Sequence, residues 1–134
     1  MKIKFCSLYR QEGQDQKAEF EVDAKYSKEL IKHPFENIEY EYEVYEFHDP
    51  QSKQPTRIEI NPKSVNVITN NATLQLRLLK CHNGSKIHLE KNDIILKTLM
   101  DKCIVSEKEA FFQYEMFSIN DHPMGEFKIT ISHE

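Results

Sequence analysis

A chain of 134 residues is the length of one domain, here taken to span 1–134, and can bury a core without disulfide staples. Its net charge is −4, with three arginines (Arg10, Arg57, Arg77) against fifteen lysines, which leaves no electrostatic footprint for nucleic acid or an anionic membrane. Only three glycines are present, and no apolar run approaches the roughly 20 residues of a spanning helix, so neither a glycine-rich phosphate loop nor a membrane span is expected.

Residues 1–10 carry no apolar stretch of the signal-peptide kind. Cys6, Cys81 and Cys103 are odd in number and widely spaced. Together these predict a cytoplasmic protein with reduced thiols.

The first predicted strand runs from Lys2 to Tyr9, with Ile3 and Phe5 on one side. Over residues 18–26, Ala18, Phe20, Val22, Ala24 and Tyr26 alternate with Glu19, Glu21, Asp23 and Lys25. A helical period of 3.6 would scatter both sets, so this is a strand with one buried face. Ser27 as N-cap, followed by residues 28–32 and then His33-Pro34, predicts one short helix near residues 27–33. From Ile38 to Val44 the alternation returns, with Tyr40 and Tyr42 against Glu39, Glu41 and Glu43. It then changes phase, since Tyr45 and Phe47 now alternate with Glu46 and His48; a β-bulge at Tyr45 is the expected cause.

Strands are expected next over Thr56–Ile60, Ser64–Thr69 and Ala72–Lys80. Asn83-Gly84 predicts a type I′ hairpin turn leading into Lys86–Glu90. Ile94–Val105 reads as one long or bent strand, residues 106–109 as a helical turn or a plain loop, and Ala110–Met116 and Phe127–Ile131 as the closing strands. About nine to eleven strands with short polar turns is the pattern of a barrel or sandwich. A near-continuous meander favours an all-β, antiparallel up-and-down β-barrel, whose closure removes sheet edges.

Chemical motifs are sparse. Glu21, Asp23 and Lys25 have the acid-acid-lysine alternation of triphosphate-tunnel enzymes, but that chemistry needs the charged face inside, and turning it in would expose Phe20, Val22 and Tyr26. Cys81-His82 point to opposite faces of a strand, and no C-x-x-C, H-x-H or H-E-x-x-H spacing occurs, so no metal and no cofactor are expected. No nucleophile signature of the G-x-S-x-G or cysteine-protease kind is present, and no catalytic residue is assigned. The segment from Tyr40 to His48 is dense in tyrosines and carboxylates, and tyrosine pairs an apolar body with a polar tip suited to lining a cavity.

The run from Tyr40 to Asp49, followed by Thr56–Ile60 and Val65–Ile68, resembles the YwiB-like family of small bacterial proteins. Lys97-Thr98, Tyr114-Glu115-Met116 and Phe127–Ile131 continue the similarity in order, from about residue 15 to the end. The resemblance implies a lipocalin-like (calycin-like) barrel, a bacterial cytoplasmic setting and no established catalytic residue. The chain departs from the family pattern at Ala24-Lys25-Tyr26, where relatives carry Gly before the aromatic, and at Thr69–Ala72, where they carry an Arg-x-Gly turn.

The leading functional reading is a module that binds a small, partly apolar ligand, with Tyr42, Tyr45, Glu46, His48, Arg57 and Tyr114 as the site residues. The alternatives are a protein-interaction or homodimeric assembly module and, with less support, an enzyme of the triphosphate-tunnel kind.

Overall fold

The computed structural model describes residues 1–32 and 38–133. These form eleven antiparallel strands: β1 Lys2–Gln11, β2 Gln14–Asp23, β3 Lys25–Lys32, β4 Glu39–His48, β5 Pro55–Asn61, β6 Ser64–Thr69, β7 Ala72–Arg77, β8 Cys81–His88, β9 Asp93–Val105, β10 Glu109–Ser118 and β11 Pro123–His133. Among the described residues there is no helix. All eleven belong to one sheet in the order β2-β1-β11-β10-β9-β8-β7-β6-β5-β4-β3. From β3 to β11 each strand pairs with its sequence neighbour, and β11 then pairs with β1. The result is an up-and-down sheet curled into a half-barrel.

The two edge strands, β2 and β3, are separated only by Ala24. The alternation of Ala18, Phe20, Val22, Ala24 and Tyr26 runs unbroken through this junction, so the chain keeps one face inward while changing partners. β2 pairs with β1, Ala24 N–H donates to the Met1 carbonyl (2.7 Å), and β3 pairs with β4. The edges therefore converge at Ala24, and the sheet must curl to allow it. Phe47 of β4 meets Phe5 and Phe20 of β1 and β2, with ring centres 6.2 and 6.1 Å apart. His133 of β11 reaches Tyr26 and Tyr45 in the same way. Both edges carry charged side chains (Lys17, Glu19, Glu21, Asp23; Lys25, Lys28, Lys32), which discourages strand addition by another chain.

The core fills the concave side. Ile3, Phe47, Ile58, Ile60, Val65, Leu76, Met100, Phe112, Ile129 and Ile131 are all buried in one cluster.

Three sequence expectations need correction. Ser27–Lys32 is strand, not helix, because pairing with β4 supplies every residue from Lys25 to Lys32 with a cross-strand partner. His33 of that expected helix lies outside the described residues. No bulge occurs at Tyr45: β4 keeps regular register with both β3 and β5. The phase change instead marks a strand buried on both faces, with Tyr42 and Val44 on one side and Tyr45 and Phe47 on the other. Finally, Asn83-Gly84 lies inside β8 at a register shift between His82 and Ser85, and the turn into β8 is made at Leu78–Lys80. A side chain at Gly84 would meet the Gln75 and His82 side chains, which would have to shift to admit it.

Bulges do bend the sheet elsewhere. The long β9 strand carries one at Asp101, which has no opposite residue between Gln113 and Tyr114. Residues 106–109 make a tight loop, closed by Ser106 N–H and Oγ donating to the Glu109 carbonyl.

Candidate functional site: a polar clamp and an apolar cleft on the outer face

Strand alternation sends Tyr42, Glu46 and His48 of β4 to the outer face of the sheet, together with Arg57, Glu59 and Asn61 of β5, Ser64 and Asn66 of β6 and Arg77 of β7. At the centre, Arg57 holds three carboxylates. Nε donates to Glu59 (2.8 Å), Nη1 to Glu46 (2.8 Å) and Nη2 to Glu29 (3.1 Å), so one guanidinium ties β3, β4 and β5 together. These long side chains roof Val44, which has no exposed surface although it points away from the core. Burial works against the Arg57 charge, but hydrogen bonds with Glu59 and Glu29 outweigh it and raise its pKa. The Glu29 carboxyl is lowered from its ordinary 4.5, first by the Arg57 hydrogen bond and then by Ser27. Asn66 extends the network, donating from Nδ2 to Glu59 (3.0 Å) and accepting from Arg77 at Oδ1 (3.1 Å).

Beyond Arg77 the surface becomes apolar. Asn61 shapes the β5–β6 turn by accepting the backbone N–H groups of Lys63 and Ser64 at Oδ1 (both 2.8 Å). Ser64 Oγ and the Tyr42 hydroxyl share a hydrogen bond of 2.6 Å. Opposite, the β7–β8 turn places Leu79 in left-handed backbone (φ 57°), anchored by its N–H to the Met100 carbonyl (2.7 Å). Between the two turns lies a cleft of about 470 Å³. Asn61, Ser64 and Arg77 contribute polar groups, with Glu41, Lys63 and Lys80 also in the lining; Tyr40, Pro62, Leu78 and Leu79 form its apolar walls.

The sequence-predicted site residues divide between the two faces. Tyr45 and Tyr114 are core residues. Tyr45 packs on Tyr26 at 5.1 Å, and Tyr114 stacks on Phe127 at 4.9 Å. Burial pushes both phenols upward, and the Tyr26 phenol rises to about 12 through burial and its hydrogen bond to Glu43. Glu46, His48 and Arg57 come together on the outer face beside a second cleft of about 400 Å³ with Lys25, Thr69 and Asn70. There Arg57 is already matched by carboxylates. Tyr42 lies under the other cleft through Ser64. Glu21 and Asp23 are exposed, and β2 turns them away from the core side chains Phe20 and Val22. Among the described residues no three His, Cys, Asp or Glu side chains converge as a metal site.

Sequence reasoning missed Ser64, Arg77 and Leu79. Arg77 was visible as an arginine flanked by Leu76 and Leu78, at the outward parity of a Leu-rich strand. A third cleft, of about 580 Å³, is lined by Arg10, Asp15, Glu115, Glu126 and Lys128. Leu8, Tyr9 and the sequence-predicted Tyr114 line it as well, and Arg10 and Asp15 pair with each other there at 2.7 Å.

The fold and these surfaces define an all-β antiparallel half-barrel protein with a polar clamp and an apolar cleft on its outer side. The fold is that of the ywiB protein from Bacillus subtilis, whose crystal structure matches with a TM-score of 0.63 at 15% identity, covering 99% of this chain and 90% of that one. The chain belongs to the family of an uncharacterized protein from Mycoplasmopsis pulmonis (strain UAB CTIP), with which it is 34% identical over 134 residues, 98% of this chain and 97% of that one. No family model matches the chain.

Proposed function

We propose that the protein is a small-ligand-binding module of calycin-like build, acting in the cytoplasm, and that its ligand is a small, partly apolar molecule held in the cleft between the β5–β6 and β7–β8 turns. The observation that carries this reading is Leu79. The residue is 73% exposed at the cleft wall, and its backbone is left-handed, a conformation that Asn or Gly adopts more cheaply. A strained residue presenting apolar surface to water is costly twice over, and a ligand against it would recover part of that cost. The cleft volume is within the range of small-molecule sites. The free thiols Cys6, Cys81 and Cys103 agree with a reducing compartment.

The test is uptake of the neutral fluorophore N-phenyl-1-naphthylamine. Wild-type protein should enhance its fluorescence saturably. Leu79→Asn should weaken that uptake several-fold while leaving the melting temperature unchanged or raised, because Asn relieves the left-handed strain. Non-saturable uptake, or uptake indifferent to Leu79→Asn, would sink the reading.

A further inference from the structure

Arg57 and Arg77 share the outer face two strands apart, and their partners differ sharply. Arg57 is held by three carboxylates. Arg77 is only 8% exposed and uses Nη1 alone, donating to Asn66 Oδ1 (3.1 Å) and to the Leu76 carbonyl (2.9 Å). Its Nε and Nη2 have no acceptor among the described residues, and neither is sealed from solvent. No carboxylate of the described residues forms an ion pair with it. Glu59 is the nearby candidate, but its two oxygens are taken by Arg57 and by Asn66 Nδ2. Asn66 thus relays a hydrogen bond from Arg77 toward Glu59 without neutralising the charge. Burial lowers the Arg77 pKa, opposed by the more distant Tyr42 and Glu59.

The Nε–Nη2 edge of a guanidinium presents parallel N–H donors spaced for the two oxygens of a carboxylate. Here that edge belongs to a residue lining the apolar cleft. Resting on the ligand-binding reading above, we infer that the ligand is a small amphipathic carboxylate, its two oxygens on Arg77 Nε and Nη2 and its apolar body against Tyr40, Pro62, Leu78 and Leu79. Several features favour a compact monoanion over a polyanion. There is one unpaired guanidinium edge, the walls are largely apolar, and the Glu41 carboxylate shares the lining with Lys63 and Lys80.

The probes are 4-phenylbutanoate and its neutral isostere 4-phenylbutan-1-ol, each displacing N-phenyl-1-naphthylamine. Wild-type protein should prefer the carboxylate by about tenfold. Arg77→Gln should abolish that preference, and Arg77→Lys should retain part of it. Because Arg77→Gln removes a buried group and can unfold the chain, a second readout uses unaltered protein: the Arg77 Nε–H resonance should shift on adding 4-phenylbutanoate and stay put with the alcohol. Equal affinity for the two probes, a preference that survives Arg77→Gln, or an unmoved Nε–H resonance overturns the inference. Saturable fluorophore binding alongside any of these leaves the cleft reading standing. Failure of the fluorophore to bind overturns the cleft reading itself, and an unmoved Nε–H resonance in the same protein overturns the carboxylate inference as well.

Discussion

The strands β1, β2, β10 and β11 and the strands β4 to β7 solve the same problem in two ways. In the first group one face is buried and the other is left to water. β2 is the plainest case, with Ala18, Phe20 and Val22 inward and Lys17, Glu19 and Glu21 outward. In the second group both faces are covered. Tyr45 is 1% exposed on the core side of β4, and Tyr42 is 2% exposed on the other. No second sheet or helix of the described chain does the covering. A cross-linked layer of Arg57, Glu29, Glu46, Glu59 and Asn66 does, and it ends at Arg77 where the apolar cleft begins. The difference shows that a sheet can bury its outer face under its own charged side chains, provided they satisfy one another. It also shows where that satisfaction stops.

The largest effect should come from the one-sided half. Phe112 and Phe111 are neighbours on β10 and point to opposite faces, Phe112 into the core and Phe111 outward beside Ile104 and Thr130. Phe112→Ala should cost about 3–5 kcal/mol in chemical denaturation, the range for deleting a core aromatic. Phe111→Ala should cost about 1 kcal/mol or less, since it gives up only partial burial. Equal losses would show that β10 is buried on both faces, and the comparison between the two halves would collapse.

How much of this was legible in the sequence depended on whether burial was one-sided. The period of two in residues 18–26 announced β2 and continued correctly through Ala24 to Tyr26, because every second residue there faces water. β3 beyond Tyr26 reads as helix because Ser27, Lys28, Glu29, Leu30 and Lys32 are good helix formers or caps, and only pairing with β4 makes them strand. In β4 the outer layer comes mostly from β3, β5 and β6, so nothing local distinguishes a two-faced strand from a bulge. The same ambiguity blurred the site. Glu46 and Arg57 were found as a cluster, and they meet at 2.8 Å. Tyr45 and Tyr114 are of the same residue type as Tyr42, but parity puts them in the core. Arg77 shows in the sequence only as an arginine at outward parity; that one edge of its guanidinium lacks a partner is not displayed there.

A smaller effect tests the charged layer. Arg57→Met would strand three carboxylates, one of them the buried Glu59, and should lower stability by about 1–3 kcal/mol at neutral pH. Arg10→Met is the matched control. Its pair with Asp15 lies exposed on the one-sided half, and its loss should not register. The pH dependence has a definite sign. Glu29 has its carboxyl pKa lowered in the folded protein by Arg57, so its share of the stability is present above the ordinary value of 4.5 and is lost as pH falls through the folded value. The gap between wild type and Arg57→Met should therefore narrow on acidification. A gap that is constant from pH 7 to about 3 would mean that Arg57 acts by packing alone.

The smallest effect concerns thiol chemistry and reports which face of the sheet a residue occupies. Cys103 lies on the inner face opposite Phe112, donates to the Asn61 carbonyl at 3.3 Å and has its pKa raised by burial to about 11. Cys81 is exposed at the start of β8. Iodoacetamide at mildly alkaline pH should label Cys81 within the folded protein and leave Cys103 untouched until denaturant is added, because the thiolate is the reactive species. The linked stability change has the opposite sign to that of Glu29. The unfolded thiol loses its proton at its ordinary value of 9.0 while the folded one holds it, so stability falls as pH rises from there toward 11. Labelling of Cys103 in the native state at a rate comparable to Cys81 would show that β9 opens readily between its bulge at Asp101 and Val105. In that case the inner face of the half-barrel would be no better sealed than the outer one.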